Sequence, residues 1–292
     1  MDNYLASFRE MISLRGLTDH TIKSYSTYIG AYLHYLSDFL NKSPHQVSWQ
    51  DMRDYVIWLK AERGLSDRTI NHCISQLRFF TIYVLHNPWD ETQLPMRKFD
   101  QYLPFVPSQK DTFTFLSSMP DLKQKTMLTL MYSAGLRVGE LCSLRYEDIS
   151  RKNMRIHIRH SKARCDRYAI LSSIALEILT EYWYAYDRPT GWLFPKQTNK
   201  DSSRPIDTFY LSRHIHAHER RLGWPEKLTC HSFRHAFGTH LYENGADLLT
   251  IKSLLGHRSL SSTMIYVHLV SNGCGKAVSP LDSLAGADYD KA

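Results

Sequence analysis

The sequence predicts a mainly α-helical protein with two helical regions and one small β-hairpin in the second region. Three observations support this fold class. Apolar residues recur at steps of three and four through most of the chain, four of the eleven prolines fall within residues 87–108, and apolar and polar residues alternate near residue 155. With 292 residues, 43% of them hydrophobic, the chain can bury more than one core.

The first ninety residues predict a small all-helical domain. Helix starts are indicated at Thr18, Ser48 and Ser66, whose side chains suit an N-cap. Gly16 and Gly64 stand where helices are expected to end. The apolar positions with helical spacing are Ile22, Tyr25, Ile29, Tyr32, Leu33, Leu36, Leu40, Met52, Tyr55, Val56, Leu59, Ile70, Ile74, Leu77, Phe80 and Val84.

The proline-rich segment predicts a boundary, because clustered prolines favour extended backbone over helix. We therefore expect a helical domain over residues 1–95, a linker over 96–108 and a second domain over 109–292. Charge divides at nearly the same place. Residues 1–98 carry 11 Lys+Arg and 10 Asp+Glu, a net charge of +1, whereas the remainder carries 25 and 19, a net charge of +6.

The second region predicts helices on both sides of a hairpin. Helical spacing runs over residues 112–119 and 123–133 and resumes, with breaks, over 174–268. Between them, residues 154–159 alternate between apolar and polar types, as in a half-buried strand, and residues 168–170 indicate the returning strand.

The predicted hairpin is strongly basic. Its cations are repelled by one another and balanced by a single acid within the same stretch, Asp166. Bound phosphates would stabilise such a cluster, but an ordinary solvated strand face can look the same, so both interpretations stay open on this feature alone. The cations are Arg151, Lys152, Arg155, Arg159, Lys162, Arg164 and Arg167.

Composition excludes several classes of protein. No apolar run approaches the ~20 residues of a membrane span, and the first residues lack the basic-then-apolar order of a signal peptide. The five cysteines are scattered and form no CxxC pair, which argues against a disulfide framework and favours a reducing cytoplasm. The net charge of +7 suggests a polyanionic partner.

Two short segments carry arginines in chemically suggestive settings. Arg137 stands between two glycines and is followed three residues later by Glu140, so its planar guanidinium could bind two phosphate oxygens or could form an ordinary ion pair. His231 and Arg234 lie three residues apart and would project from one helix face. An imidazole beside a guanidinium suits an oxyanion better than an apolar core.

Further histidines complete the set of candidates. His257 follows a glycine, and Tyr266 follows nine residues later. The alternating His214, His216 and His218 look like a metal tract, but no Glu or Cys stands at a supporting spacing. We therefore predict no metal and no cofactor.

With these blocks, the sequence resembles the tyrosine recombinases, the phage-integrase family of site-specific DNA recombinases. The resemblance covers nearly the whole chain and rests on four blocks in the family's order. They are Ala-Gly-Leu-Arg-Val-Gly-Glu-Leu from Ala134, His-Ser-Phe-Arg-His from His231, Leu-Gly-His-Arg from Leu255, and Tyr-Val-His from Tyr266. Phe233 and Gly238 depart from the more usual leucine and alanine, both at packing positions.

The resemblance implies roles for individual residues. Tyr266 would be the nucleophile, forming an O-(3′-phospho-DNA)-tyrosine link, and Glu140 would support the first arginine. Lys162 would be the hairpin lysine, with Lys152 as the alternative because the usual Gly-Lys-Gly run is absent. We expect nearby cations to lower the pKa of Tyr266, and the histidines to move protons near neutral pH. The catalytic set is Arg137, Lys162, His231, Arg234, His257 and Tyr266.

The resemblance also implies an architecture and partners. A SAM-like core-binding domain and a catalytic domain would form a clamp on double-stranded DNA with inverted-repeat half-sites. The hairpin residues expected to contact DNA are Arg151, Lys152, Arg155, Arg159, Arg164 and Arg167. We expect a homotetramer on two duplexes, possible pairing with a second recombinase, and a compact type similar to chromosome-dimer resolvases and to the integrases of transposons and integrons.

Two other functions are compatible with these residues. A type IB topoisomerase would relax supercoiled DNA without preference for a site. A catalytically silent DNA-binding protein would relax nothing, although no member of the polar set is missing here. The small N-terminal helical domain favours the recombinase.

Overall fold

The chain divides into two compact units, Met1–Gln101 and Tyr102–Ala292. The division falls inside 96–108, the segment predicted as a linker, and the function of that segment stays a prediction. The computed structural model describes residues 2–100, 102–159, 166–188, 190–196, 204–225 and 228–270.

The described residues of the first unit are helical, as predicted. Their elements are α1 (Asp2–Leu14), α2 (Asp19–Tyr35), a π-helical turn (Leu36–Leu40), a 3-10 turn (Pro44–Gln46), α3 (Trp49–Ala61) and α4 (Asp67–Tyr83). The core is rich in aromatic rings: Phe8, Tyr55 and Phe80 are fully buried in it. Apolar faces of these short helices stabilise the unit by excluding water, at about 25 cal/mol for each Å² of apolar surface.

The predicted helix boundaries in this unit are largely confirmed. The side chains of Thr18, Ser48 and Ser66 each accept a hydrogen bond from a backbone N–H three residues later. Leu40 lies in a π-helical turn rather than in α2, and left-handed Asn41 (φ 48°) ends the winding. The wider turn keeps the apolar spacing of Leu36 and Leu40, so the sequence pattern cannot reveal it.

The second unit wraps several helices around a buried central one. Its elements are α5 (Gln109–Ser117), α6 (Leu122–Ala134), α7 (Val138–Cys142), a 3-10 turn (Tyr146–Asp148), β1 (Ile149–Ser150), β2 (Arg155–Ile158), β3 (Arg167–Ile170), α8 (Ser173–Ala185), α9 (Thr208–Leu222), α10 (Cys230–Glu243), α11 (Leu248–Leu255) and α12 (Ser261–Leu269). Helix α6 is buried along most of its length and packs against α5, α8, α9 and α10. None of the helices in the described ranges has the length and apolarity needed to cross a bilayer.

The predicted hairpin is present and belongs to a three-stranded antiparallel sheet in the order β1-β2-β3. Ile156 pairs with Ala169, and both are buried. Tyr168 and Ile170, which indicated the returning strand, lie instead on its exposed face. Strand β1 was not predicted, because two residues cannot display an alternation.

A separate small core holds the last helices together. Phe237 of α10, Ile251 and Leu255 of α11, and Tyr266 of α12 are buried against one another. This cluster adjoins the turn between α6 and α7, and it fixes the side chain of Tyr266 within the second unit.

Candidate active site

Arg137 lies on the tight turn between α6 and α7 as the N-cap of α7, and Glu140 lies in the first turn of that helix. Helix α6 ends at left-handed Gly135 (φ 60°), where a Cβ would lie 2.4 Å from Phe237 and 2.8 Å from Leu255. Only glycine lets this turn approach α10 and α11 so closely. The backbone N–H of Arg137 donates to Glu140 Oε2 (2.9 Å), and its Nη1 donates to Oε1 (2.7 Å).

Arg234 reaches the same carboxylate from α10. Its Nη1 lies 3.9 Å from Glu140 Oε2, and its side chain is 6% exposed. The guanidinium donates to the carbonyl oxygens of Gly135 and Leu255. Burial, and then the charge of Arg137, lower the pKa of Arg234 to about 10, so it is still a cation at pH 7. The two arginines expected to converge therefore meet at one carboxylate, Glu140.

A third arginine, Arg167, completes the cluster. The sequence placed Arg167 among the DNA-contacting residues of the hairpin. Its side chain is 9% exposed and forms a bidentate ion pair with Glu140, Nη1 to Oε1 and Nη2 to Oε2, both 2.8 Å. In this structure the guanidinium of Arg167 therefore faces Glu140 rather than solvent. The sequence showed only that Arg167 was basic, and the strand register turned it inwards.

Tyr266, the predicted nucleophile, lies beside this cluster and is 1% exposed. Its ring is nearly parallel to that of His257, with centroids 6.2 Å apart, and it lies 6.1 Å from the ring of His235. A Cβ at Gly238 would lie 2.5 Å from Cζ of the phenol. Gly238 is thus a packing position, as expected, but the group that packs on it is the tyrosine itself.

The cations act on Tyr266 in the expected direction, but burial outweighs them. Burial raises the pKa of the phenol to about 12, although the charges of Arg234 and Arg137 act in the opposite direction. Removing the hydroxyl from water disfavours the anion by more than the two guanidinium groups favour it. In this structure Tyr266 is a neutral phenol at pH 7.

His257 lies next to the phenol ring after the end of α11. Its Nδ1 is 2.9 Å from Thr263 Oγ1, the first buried polar group of α12. Burial, followed by the charges of Arg234 and Arg137, lowers the pKa of His257 to about 4. His257 therefore does not change charge near neutral pH in the free protein, and its expected part in proton transfer stays a prediction. At pH 7 it is a neutral imidazole that can donate and accept hydrogen bonds.

The first two turns of α10 carry two further imidazoles, His231 and His235, four residues apart and so on one face. His231 is exposed, and its ring centroid is 6.4 Å from that of His235. Sequence analysis missed His235, although it ends the His-Ser-Phe-Arg-His block. Its buried Nδ1 has no hydrogen-bond partner among the described residues, and burial lowers its pKa to about 4. A neutral imidazole with a vacant nitrogen therefore faces the region of Tyr266.

The basic hairpin is less uniform than its sequence. Lys152 and Arg155 are exposed, and Arg151 is exposed while donating to Thr180 Oγ1 (2.6 Å). Arg159 pairs with Asp148 (2.6 Å) and also lies 3.2 Å from Glu147. Those two carboxylates lie outside the stretch considered in the sequence. Lys162 and Arg164 lie outside the described residues.

The histidine tract of α9 is occupied by protein contacts. His218 is 3% exposed, with Nε2 3.0 Å from Ser118 Oγ and Nδ1 2.5 Å from a guanidinium nitrogen of Arg221. Nδ1 of His214 lies 2.7 Å from the carbonyl oxygen of Tyr210. Across the described ranges, no group of three or more His, Cys, Asp or Glu side chains could hold a metal ion.

Comparison with known proteins agrees with this arrangement. Residues 110–272 match the phage integrase family, and residues 4–91 match the N-terminal SAM-like domain of phage integrases. The chain belongs to the phage integrase family. Both parts of the predicted fold class, the SAM-like N-terminal domain and the integrase catalytic domain, are confirmed by these matches.

Curated relatives in this family span most of the chain. A putative integrase/recombinase, y4eF of Sinorhizobium fredii, is 38% identical over 238 residues, covering 80% of this chain and 92% of that protein. The tyrosine recombinase XerD of Pseudomonas putida is 31% identical over 276 residues, covering 87% and 88%. The tyrosine recombinase XerA of Thermococcus onnurineus is 29% identical over 283 residues, covering 95% and 94%.

Solved structures share the fold. The XerH site-specific recombinase bound to palindromic difH substrate matches with a TM-score of 0.73 and 21% identity, over 92% of this chain and 82% of that one. The Tn1549 transposon integrase in complex with transposon right end DNA matches with a TM-score of 0.70 and 18% identity, over 99% of both chains.

Proposed function

We propose that this integrase-family protein is a site-specific DNA recombinase that cleaves and rejoins strands through Tyr266, with no metal ion or ATP. The observation that carries the proposal is the convergence of Arg137 and Arg234 on Glu140, close enough to the Tyr266 phenol for their charges to act on its pKa. The relatives named tyrosine recombinase support the same activity.

The two arginines supply the electrostatic part of the reaction. Both remain anchored through Glu140, so their charges are held at one place before DNA arrives. Preorganised cations stabilise the charge that develops on the non-bridging oxygens of a phosphodiester. Removing one such donor costs about 2.7–4 kcal/mol of barrier in well-studied enzymes. His231 and His257 add hydrogen bonds to the phosphate.

Tyr266 supplies the nucleophile. Its oxygen forms a bond to phosphorus as the bond from phosphorus to the 5′ oxygen breaks, which leaves a 3′-phosphotyrosyl link. The phenol proton departs to a neighbouring base, and the 5′ oxygen takes a proton from Lys162. The phosphotyrosyl ester conserves the energy of the phosphodiester bond that was broken. A 5′ hydroxyl from another strand can therefore attack the phosphorus, release Tyr266 and join the two strands.

The DNA partner follows from the same reasoning. Exposed Arg151, Lys152 and Arg155 would contact backbone phosphates of a duplex carrying inverted-repeat half-sites. We propose a homotetramer on two duplexes, alone or with a paired recombinase, acting in the cytoplasm in integration, excision or resolution. The stretch 267–284 would dock on a neighbouring subunit, and most of it lies outside the described residues.

A nicked suicide substrate tests this proposal. The substrate is a duplex selected from a random-sequence pool by binding to the wild-type protein. We expect the wild type to form a covalent complex that survives denaturing electrophoresis. Tyr266→Phe is expected to bind the duplex with unchanged affinity and to form no complex. Covalent product from that variant, or none from the wild type, would contradict the proposal.

A further inference from the structure

Arg167 is bound more completely than the other arginines of the cluster. Its two terminal nitrogens pair with the two oxygens of Glu140 at 2.8 Å each, which is the bidentate geometry that gives charge-assisted hydrogen bonds their specificity. By comparison, Arg137 gives Glu140 one side-chain nitrogen, and Arg234 approaches only to 3.9 Å. Among the three guanidinium groups, Arg167 therefore makes the most extensive contact with Glu140, and the backbone N–H of Arg137 adds a further hydrogen bond of 2.9 Å.

The same side chain also holds the end of α11. Nε of Arg167 donates to the carbonyl oxygen of Leu254 (3.1 Å). Gly256 is left-handed (φ 63°), and a Cβ there would lie 2.8 Å from Cδ of Arg167. Because His257 follows directly, the stem of Arg167 packs against the loop that presents this imidazole.

The charges explain why a third arginine is needed. Burial of Glu140 raises its pKa, but the hydrogen bonds and charge of Arg167, followed by those of Arg137, hold the pKa at about 2. A phosphate that recruited Arg137 and Arg234 would compete with Glu140 for their donors. Arg167 keeps the carboxylate paired meanwhile, so the other two guanidinium groups can turn towards DNA. The second nitrogen of Arg137 makes only a 3.4 Å contact, to Gly256 O.

Arg167 also joins the hairpin to the site. It is the first residue of β3, and its partner in the register is Ile158 of β2. Lys162 belongs to the segment between these strands. The ion pair with Glu140 therefore ties the base of the hairpin that carries the proposed general acid to the turn that carries Arg137.

We propose that Arg167 is a positioning residue for DNA cleavage, which fixes Glu140, and through it Arg137, and holds the loop before His257, rather than a contact to DNA phosphate. This inference rests on the proposed recombinase function.

Arg167→Lys keeps the charge but cannot form the bidentate pair, whereas Arg167→Gln removes the charge, so the two variants together separate the possible roles. Two quantities are measured on the full chain with the selected duplex: the salt dependence of the dissociation constant, and the rate of covalent-complex formation at saturating DNA. We expect the slope of log Kd against log salt to stay at the wild-type value in both variants. We expect the rate to fall about 100-fold, the effect of a small misplacement in an active site.

Arg145→Lys is the matched control, because Arg145 is a half-exposed arginine 4.0 Å from a carboxylate, Glu147, outside the cluster. We expect wild-type slope and rate from it. The double variant Arg137→Lys/Arg167→Lys is expected to lose little more rate than Arg137→Lys alone, since both substitutions disturb one unit.

Three results would overturn the inference. A slope reduced by about one in Arg167→Gln, which lacks the charge, would make Arg167 a phosphate contact. A wild-type rate would remove its role in cleavage. If the variant had a lower melting temperature but the wild-type rate at temperatures well below it, the role of Arg167 would be purely structural. No covalent complex from the wild type would refute the proposed function itself, and is thereby distinguishable from these outcomes.

Discussion

The phenol ring of Tyr266 lies directly on the backbone of Gly238, in the space that any other side chain would fill. A Cβ at that position would come within 2.5 Å of Cζ and within 2.7 Å of both Cε atoms. The absence of a side chain at one position of α10 therefore sets where the proposed nucleophile lies. This contact joins the helix that carries Arg234 to the helix that carries Tyr266.

Gly238→Ala is expected to displace the tyrosine. The added methyl group forces the ring away from α10, so we expect a loss of about 1–3 kcal/mol in unfolding free energy, as for other overpacked cores. The rate of covalent-complex formation should fall by about 100-fold, while DNA affinity stays the same. Gly30→Ala is the control, since nothing lies within 4 Å of a Cβ there. A Gly238→Ala protein with wild-type stability and rate would refute this packing.

The stability of the protein is expected to fall in acid partly because of His257. Its pKa is about 4 in the folded protein, below the ordinary value of 6.5, so the unfolded chain binds more protons between these values. Folding stability from this group is present above pH 6.5 and is lost as the pH falls towards 4. Relative to His257→Gln, we expect the wild type to lose about 3 kcal/mol across this range.

Denaturant unfolding at a series of pH values measures that difference. NMR titration of the His257 ring gives an independent reading, in which the resonance should not shift between pH 8 and about pH 5. A midpoint near 6.5 would show that burial and the charges of Arg234 and Arg137 do not disfavour the imidazolium.

Glu140→Gln is expected to be strongly destabilising. The substitution removes the charge around which Arg137, Arg167 and Arg234 converge, and leaves like charges close together in a buried place. Removing one partner of a buried ion pair costs about 3–5 kcal/mol. Sulfate should restore part of this loss in Glu140→Gln and have a smaller effect on the wild type, because it can replace the missing counter-charge. Equal stabilisation of both proteins by sulfate would contradict this explanation.

Two arginines of the hairpin are expected to differ in DNA binding. Arg155 is exposed, whereas Arg159 is paired with Asp148 and Glu147. Arg155→Ala should lower the slope of log Kd against log salt by about one. Arg159→Ala should lower it by less and reduce stability instead, since Asp148 is 3% exposed and would lose its partner. The reverse order of slopes would show that the ion pairs of Arg159 open on DNA.

Much of the candidate site could be predicted because its residues lie close together in short segments of the sequence. Arg137 and Glu140 share one turn, and His231 and Arg234 share one helix face, so local spacing brings each pair together. The convergence of those pairs with His257 and Tyr266 was implied by the family resemblance. Helical spacing likewise predicted most of the helices of both units.

The rest depends on contacts between distant elements, which spacing does not encode. Arg167 appeared to be one basic residue among seven until the strand register turned it towards Glu140. The nearby cations predicted a lowered pKa for Tyr266, but burial, which the sequence does not show, raises it. The role of Gly238 could not be predicted, because it depends on α12 packing against α10 at that residue.

The most direct test of the account is to identify the amino acid that becomes bonded to DNA. Wild-type protein is trapped on the nicked suicide duplex, digested with protease and nuclease, and analysed by mass spectrometry. We predict a single nucleotide adduct, attached through a 3′ phosphate to the oxygen of Tyr266. An adduct on any other residue, or attachment through a 5′ phosphate, would contradict it.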